Sequence, residues 1–342
     1  MKNIALKLTL WGLMSLSALT MVAQNDGVSD NEFWGSADRY LFRQTTRTLK
    51  LVNEALAENL PVTGNTLSRR LALQNMDAIL HDTLFDKSPE LLGFLQNRIR
   101  GVIADLQKPL IADMNIYKLY NDGFIVKTPT VTVAFDVVTG STFQMIPDTL
   151  MKRLVDQCDI MFISHKHPDH ADAKVVKLFT DSGKQVVAPV EAFPNNQAVT
   201  HFRKEQIADL DIQLSRGKIT LKVLPGHQDE LQNNIYVITS PEGLVFAQTG
   251  DQYLDEDIPW LTKVKDVLPK IDVLIIDPWI MQLKNHIDGF DPALVITGHE
   301  NELGHGIDHR EAYWMSYMKL DEIERPYSLM TWGECYSYVR KR

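Results

Sequence analysis

The hydrophobic rhythm of the chain changes about a third of the way along. Before residue 110, apolar side chains recur every three or four positions, the spacing of a single helix face. Helices are predicted over 37–56, 68–82 and 89–107. In the third, Leu91, Leu95, Ile99, Val102, Ile103 and Leu106 share one stripe, and Ser88 before Pro89 gives a start signal. From about residue 111 the pattern shifts to short β-branched runs alternating with helices. Asn121-Asp122-Gly123, between two such runs, predicts a hairpin. Further strands are predicted at 159–164, 184–189, 218–224, 234–239, 243–248, 271–277, 293–297 and 327–332, with helices at 172–181 and 309–323. Strands mixed with helices over this length specify an α/β or α+β sandwich. The texture divides the chain into a helical extension, 25–110, and a larger domain, 111–342.

Composition adds a compartment and removes one substrate class. Lys2 and Lys7 precede an uncharged apolar run over 8–23, and Ala23-Gln24-Asn25-Asp26 restores polarity. That is the pattern of a cleaved secretory leader, residues 1–23, too short for a membrane span. The expectation is an exported protein, periplasmic or secreted, with no stable span after cleavage. Losing Lys2 and Lys7 leaves 33 basic against 44 acidic side chains, a formal charge of −11. Such a surface repels phosphate backbones, so nucleic acid is excluded as a partner and a small-molecule or lipid-like substrate is expected. Cys158 and Cys335 are the only cysteines. They could pair or stay as two thiols, and neither has metal-site spacing.

The chemistry is concentrated where an apolar strand, Ile160-Met161-Phe162-Ile163-Ser164, runs into His165-Lys166-His167-Pro168-Asp169-His170. Imidazole nitrogen and carboxylate oxygen are ligands for zinc and similar divalent ions. Four such groups within six residues point in different directions and are easily satisfied only when shared between two adjacent ions. His165 and His167 would reach one ion, Asp169 and His170 the other. That division demands further ligands at other strand ends, and the chain supplies them. Runs of β character lead into Gly226-His227, Gly250-Asp251 and Gly298-His299, and an earlier one ends in Asp136. A glycine before the ligand permits the tight backbone that brings strand ends together.

These residues, within roughly 111–300, resemble the metallo-β-lactamase superfamily. The resemblance implies an αββα sandwich with two divalent metal ions at one edge, between the sheets. It implies that His165, His167 and His227 hold the first ion, that Asp169, His170 and His299 hold the second, and that Asp251 bridges both. Asp136 matches a strand-ending acid that supports the metal loop without ligating. Asp251 is similar to the bridging carboxylate of enzymes that hydrolyse esters, lactones and phosphodiesters. Flavin-linked di-iron relatives place Glu where His167 stands. Some lactonase- and phospholipase-like relatives carry a late His-Trp-Gly, whereas this chain has Thr331-Trp332-Gly333. His299 is therefore the expected last ligand, with His305 and His309 in reserve.

The expected activity is metal-assisted hydrolysis of an ester, lactone or phosphodiester. A water shared by two ions is deprotonated near neutral pH, and Asp169 orients it and takes its proton. Zinc is the default ion, and the all-nitrogen-and-oxygen donor set also admits manganese or iron. A non-catalytic metal-binding or sensory protein and a di-iron oxidoreductase are the competing readings.

Overall fold

Apolar residues at helical spacing give the first elements of the computed structural model, which describes residues 37–83, 88–140, 144–202 and 208–341. The expected leader lies outside the described residues. By compactness the chain divides after Arg47. The first unit contributes only the opening turns of helix α1 (Ala37–Glu58) among the described residues. All further elements belong to the second unit, Thr48–Arg342.

Helix α2 (Leu67–Leu80) starts at Thr66, whose hydroxyl accepts from Arg69 N. Helix α3 (Pro89–Leu106) starts at Ser88, whose hydroxyl accepts from Leu91 N, with Pro at the first turn. The predicted stripe of α3 is buried, from Leu91 through Leu106. Strands β1 (Met114–Lys118), β2 (Phe124–Lys127) and β3 (Thr132–Phe135) follow, then helix α4 (Asp148–Gln157), β4 (Ile160–Phe162), α5 (Ala173–Asp181), β5 (Gln185–Pro189) and β6 (Val199–Phe202). Next come β7 (Ala208–Leu214), β8 (Gly217–Gln228), β9 (Leu231–Thr239), β10 (Val245–Gln248), the short α6 (Ile258–Leu261) and β11 (Val273–Ile276). Helix α7 (Leu283–Phe290), β12 (Leu294–Thr297), α8 (Tyr313–Leu320), β13 (Tyr327–Ser328) and β14 (Glu334–Tyr338) complete the order.

The strands form two seven-stranded mixed sheets, β14-β1-β2-β3-β4-β5-β6 and β13-β12-β11-β10-β9-β8-β7. Their facing sides make one apolar core, in which Phe135, Phe162, Tyr236 and Phe246 bridge the sheets. Helix α2 packs on α8, and α3 packs on α4 and β14, so the expected αββα sandwich is present with helices added ahead of it. Parallel pairing aligns the C-terminal ends of β3 and β4 in one sheet and of β10, β11 and β12 in the other. All the strand ends that carry candidate ligands therefore open on one edge.

Several elements differ from the sequence reading. Helices α4 and α7 and strands β6, β7 and β14 were not predicted, because runs this short do not separate one period from the other. The expected strand 327–332 keeps only Tyr327–Ser328, and the expected helix 309–323 begins at Tyr313. Cys158 and Cys335 are free thiols. No helix among the described residues is long and apolar enough to cross a membrane.

Candidate metal centre

Asp169, His170, Asp251 and His299 converge from two loops and a third strand end, each offering an atom within 4.8 Å of the others. His170 Nε2 lies 3.3 Å from Asp169 Oδ2 and 3.2 Å from Asp251 Oδ2. His299 Nε2 lies 3.3 Å from the same Asp169 oxygen and 3.5 Å from the same Asp251 oxygen. A tetrahedral ion with bonds of 2.0–2.1 Å needs donors about 3.3–3.4 Å apart. These spacings fit it.

Unmatched polar atoms support the same reading. His165 Nε2 and Asp251 Oδ1 are buried without a hydrogen-bond partner. Such groups are costly unless something binds them. Four of the five candidate imidazoles, His165, His170, His227 and His299, are aimed by a partner on the other nitrogen, an arrangement usual for metal-ligating histidines. Asp136 Oδ2 holds His170 Nδ1 at 3.0 Å, and Glu311 Oε2 holds His299 Nδ1 at 3.2 Å. Ser164 Oγ lies 3.0 Å from His165 Nδ1, and Asp257 Oδ2 lies 2.9 Å from His227 Nδ1. Asp136 is fully buried and also accepts from Ser164 N, Ser164 Oγ and Gln248 Nε2. It supports the loop and faces away from the open edge.

The trio expected for the first ion is less complete. His165 Nε2 stands 3.7 Å from Asp251 Oδ2, and the His165 and His167 rings are 4.7 Å apart. Among the described residues, however, no group of three close donors contains His165, His167 or His227. The residue of β8 that touches Asp251 is Gln228, whose Nε2 donates to Oδ2 at 3.1 Å. Strand alternation is the reason: Gln228 and His227 are neighbours and leave the strand on opposite sides. Thr331 is buried against the Tyr313 hydroxyl, while His305 and His309 stay exposed on the cavity rim.

Charge is unevenly spread. Burial opposes protonation of His170 and His299, yet the carboxylates around them prevail and hold both well above the usual histidine range. Burial works against ionisation of Asp169 and Asp251, but the same histidines hold both below the usual carboxylate range. Burial, with the positive charge of neighbouring His170, pushes His165 well down despite the opposing pull of Asp251 and Asp169. Metal-free, the cluster thus takes up protons that a cation would displace.

Partners missed by the sequence reading complete the centre. Asn121 Nδ2 donates to Asp169 Oδ2 at 3.2 Å, so the turn read only as a hairpin signal also reaches a candidate ligand. Asp122 is buried beneath it and accepts from Gln248 Nε2 at 2.6 Å. Glu311, Asp257 and Gln228 had no local signal, because each meets its partner from a distant part of the chain. The open face is a cavity of about 900 Å³ whose lining includes His167, Asp169, Asp251, His299 and Trp279.

Comparison with known proteins agrees with the architecture. The Beta-lactamase superfamily domain profile matches residues 115–299. The chain is similar to Igni18, a metallo hydrolase from the hyperthermophilic archaeon Ignicoccus hospitalis, at 15% identity and a TM-score of 0.50, over 67% of this chain and 99% of that one. Isothiocyanate hydrolase from Delia radicum gut bacteria aligns at 14% identity and a TM-score of 0.47, over 66% of this chain and 99% of that one. CmlA, a diiron β-hydroxylase from Streptomyces venezuelae, aligns at 12% identity and a TM-score of 0.47, over 68% of this chain and 55% of that one. No curated protein matches. The profile covers more than half of the sequence, and two mixed sheets deliver their strand ends to one edge: the chain belongs to the metallo-β-lactamase superfamily.

Proposed function

We propose that the chain is an exported, metal-dependent hydrolase of neutral esters or lactones, with 111–342 as its catalytic domain and 25–110 as a helical extension. The observation that carries this reading is the donor set of Asp169, His170, Asp251 and His299 at tetrahedral spacing. These four would hold the tighter ion. A second would draw on His165, His167 and His227 with Asp251 shared, and is expected to bind more weakly because those three are not gathered. Zinc suits the donors, as do manganese and iron. An ion held by these residues would supply a water of lowered pKa and a positive charge to stabilise a carbonyl oxygen.

The protein's own groups define the rest. Asp169 is the most open of the four, 20% exposed against 0–8% for the others, so it is placed to take a proton from a water in the cavity. Asn121 keeps that carboxylate in place. Beyond the ligands the cavity is lined by the acids Asp229 and Asp308, and by Asp277 and Glu311, whose ionisation burial opposes. Among the described residues its one Lys or Arg is Arg310, whose guanidinium donates to the carbonyls of Leu80, Leu303 and His305. A lining of this sign disfavours a phosphodiester and favours an uncharged carbonyl substrate.

Metal analysis of the purified chain, with turnover of p-nitrophenyl acetate, a γ-lactone and bis-p-nitrophenyl phosphate, tests the proposal. The expected result is bound metal and faster turnover of the first two, both lost in His299→Ala. Metal without turnover of any of the three would make it a binding protein, and absence of both would end the hydrolase reading. Export is supported by the leader pattern alone, and a secreted product beginning near Gln24 would bear it out.

A further inference from the structure

His299 and Asn301 both adopt left-handed backbone, at φ of 68° and 58°. Asn and His enter that conformation more readily than most residues, and here contacts from elsewhere in the chain hold them in it. The enforcing groups come from helix α2, outside the matched superfamily region. Asp77 Oδ1 accepts from Asn301 Nδ2 at 3.1 Å, and His81, just past the helix end, has Nε2 3.0 Å from Asn301 Oδ1. An amide oxygen only accepts, so His81 Nε2 carries the proton and the Asn301 amide is gripped at both ends. Asp77 also accepts from Tyr313 N at 2.8 Å and Trp314 N at 3.0 Å. It thereby caps α8, whose own N-cap residue, Ala312, has no side chain to do so. Asn301 N donates to Glu311 O at 3.0 Å, tying both held segments together. One segment carries His299 and the other carries Glu311, the partner of His299 Nδ1.

We propose that Asp77 and His81 are positioning residues of the metal centre: by clamping Asn301 and capping α8 they keep His299 and Glu311 in register with Asp169, His170 and Asp251. This rests on the reading of those four side chains as metal ligands. It gives α2 a part in the function that its sequence does not announce. Neither residue would touch the ion or the substrate.

Titration of the purified, metal-free chain with Co2+, followed by its visible absorption, reads the centre without relying on turnover. Thermal unfolding of each variant runs alongside. Asp77→Ala and His81→Leu should weaken Co2+ binding about 10–100-fold, the usual cost of losing a group that orients a ligand. His81→Gln, which keeps an N–H donor at that end, should stay within a few-fold of wild type. Arg70→Ala, on the same helix but facing Asp321, should leave Co2+ affinity unchanged even where it lowers the unfolding temperature. Wild-type affinity in folded His81→Leu and Asp77→Ala would overturn the proposal. So would an equal loss in Arg70→Ala, which would make the effect one of general stability, or failure of His81→Gln to restore binding. If the wild-type chain binds Co2+ but His299→Ala binds it equally well, the ligand assignment itself falls, and this inference with it.

Discussion

At the scale of single residues, the centre depends on carboxylates that never face the cavity. Asp136 satisfies Ser164 N, Ser164 Oγ, His170 Nδ1 and Gln248 Nε2 at once. Asp136→Ala would strand buried donors, so it should cost about 3 kcal/mol or more by urea denaturation. The same variant should bind metal about 10–100-fold more weakly, because His170 loses its guide. Asp77 contributes a pH dependence. Burial, reinforced by nearby Glu300, raises it to about 6, against the hydrogen bonds from Tyr313, Asn301 and Trp314 that favour its charged form. An unfolded aspartate titrates near 3.9, so between those values the folded state binds the extra proton. Stability should therefore fall as pH rises from about 4 to about 6, by up to about 3 kcal/mol, and this contribution should level off above. Denaturation across that range should show the slope in wild type and its loss in Asp77→Asn.

At the scale of elements, the strand ends work because glycine allows them to crowd. Gly250, directly before Asp251, has φ of 54°, and a Cβ there would lie 2.4 Å from Ser164 Cβ. A Cβ on Gly298, before His299, would lie 1.7 Å from Asp122 Oδ1. Gly250→Ala combines left-handed strain with a contact that the neighbouring strand end cannot yield. It should destabilise the fold by about 3 kcal/mol and displace Asp251, read as a lower melting temperature and weakened Co2+ absorption. Helix α3 is a simpler case. Leu95 and Ile99 are fully buried on its inner stripe, and either change to Ala should cost about 2–5 kcal/mol by denaturation without altering metal affinity.

At the scale of the whole molecule, two sheets bring acids from separate strands to one edge, where Asp122, Asp136, Asp169 and Asp251 lie close around His170. That concentration of negative charge opposes folding until a cation or protons balance it. A bound ion stabilises only the folded state, by about 4 kcal/mol at a thousandfold excess over its dissociation constant. Treatment with a chelator should therefore lower the melting temperature at neutral pH, and added zinc should restore it. A melting temperature unchanged by chelation would argue that the edge holds no ion.

How much of this was legible in advance follows from the range of the forces involved. The stripe of α3, the Ser88 cap and the strands leading into His165, Asp251 and His299 were readable, because periodicity and capping act over a few residues. The His-x-His-x-Asp-His run and the glycines at the strand ends likewise specified metal chemistry at a sheet edge. Edge strand β7 and helices α4 and α7 were not, since short elements owe their form to what they pack against. Which donors actually meet was decided only by the tertiary structure. Asp169, His170, Asp251 and His299 come together, whereas among the described residues no group of three close donors includes His165, His167 or His227. The clamp of α2 on Asn301 joins residues more than two hundred positions apart, and so does its cap on Tyr313. Hydrogen bonds of that kind leave no local pattern, because neither partner needs its neighbours in sequence to be of any particular type.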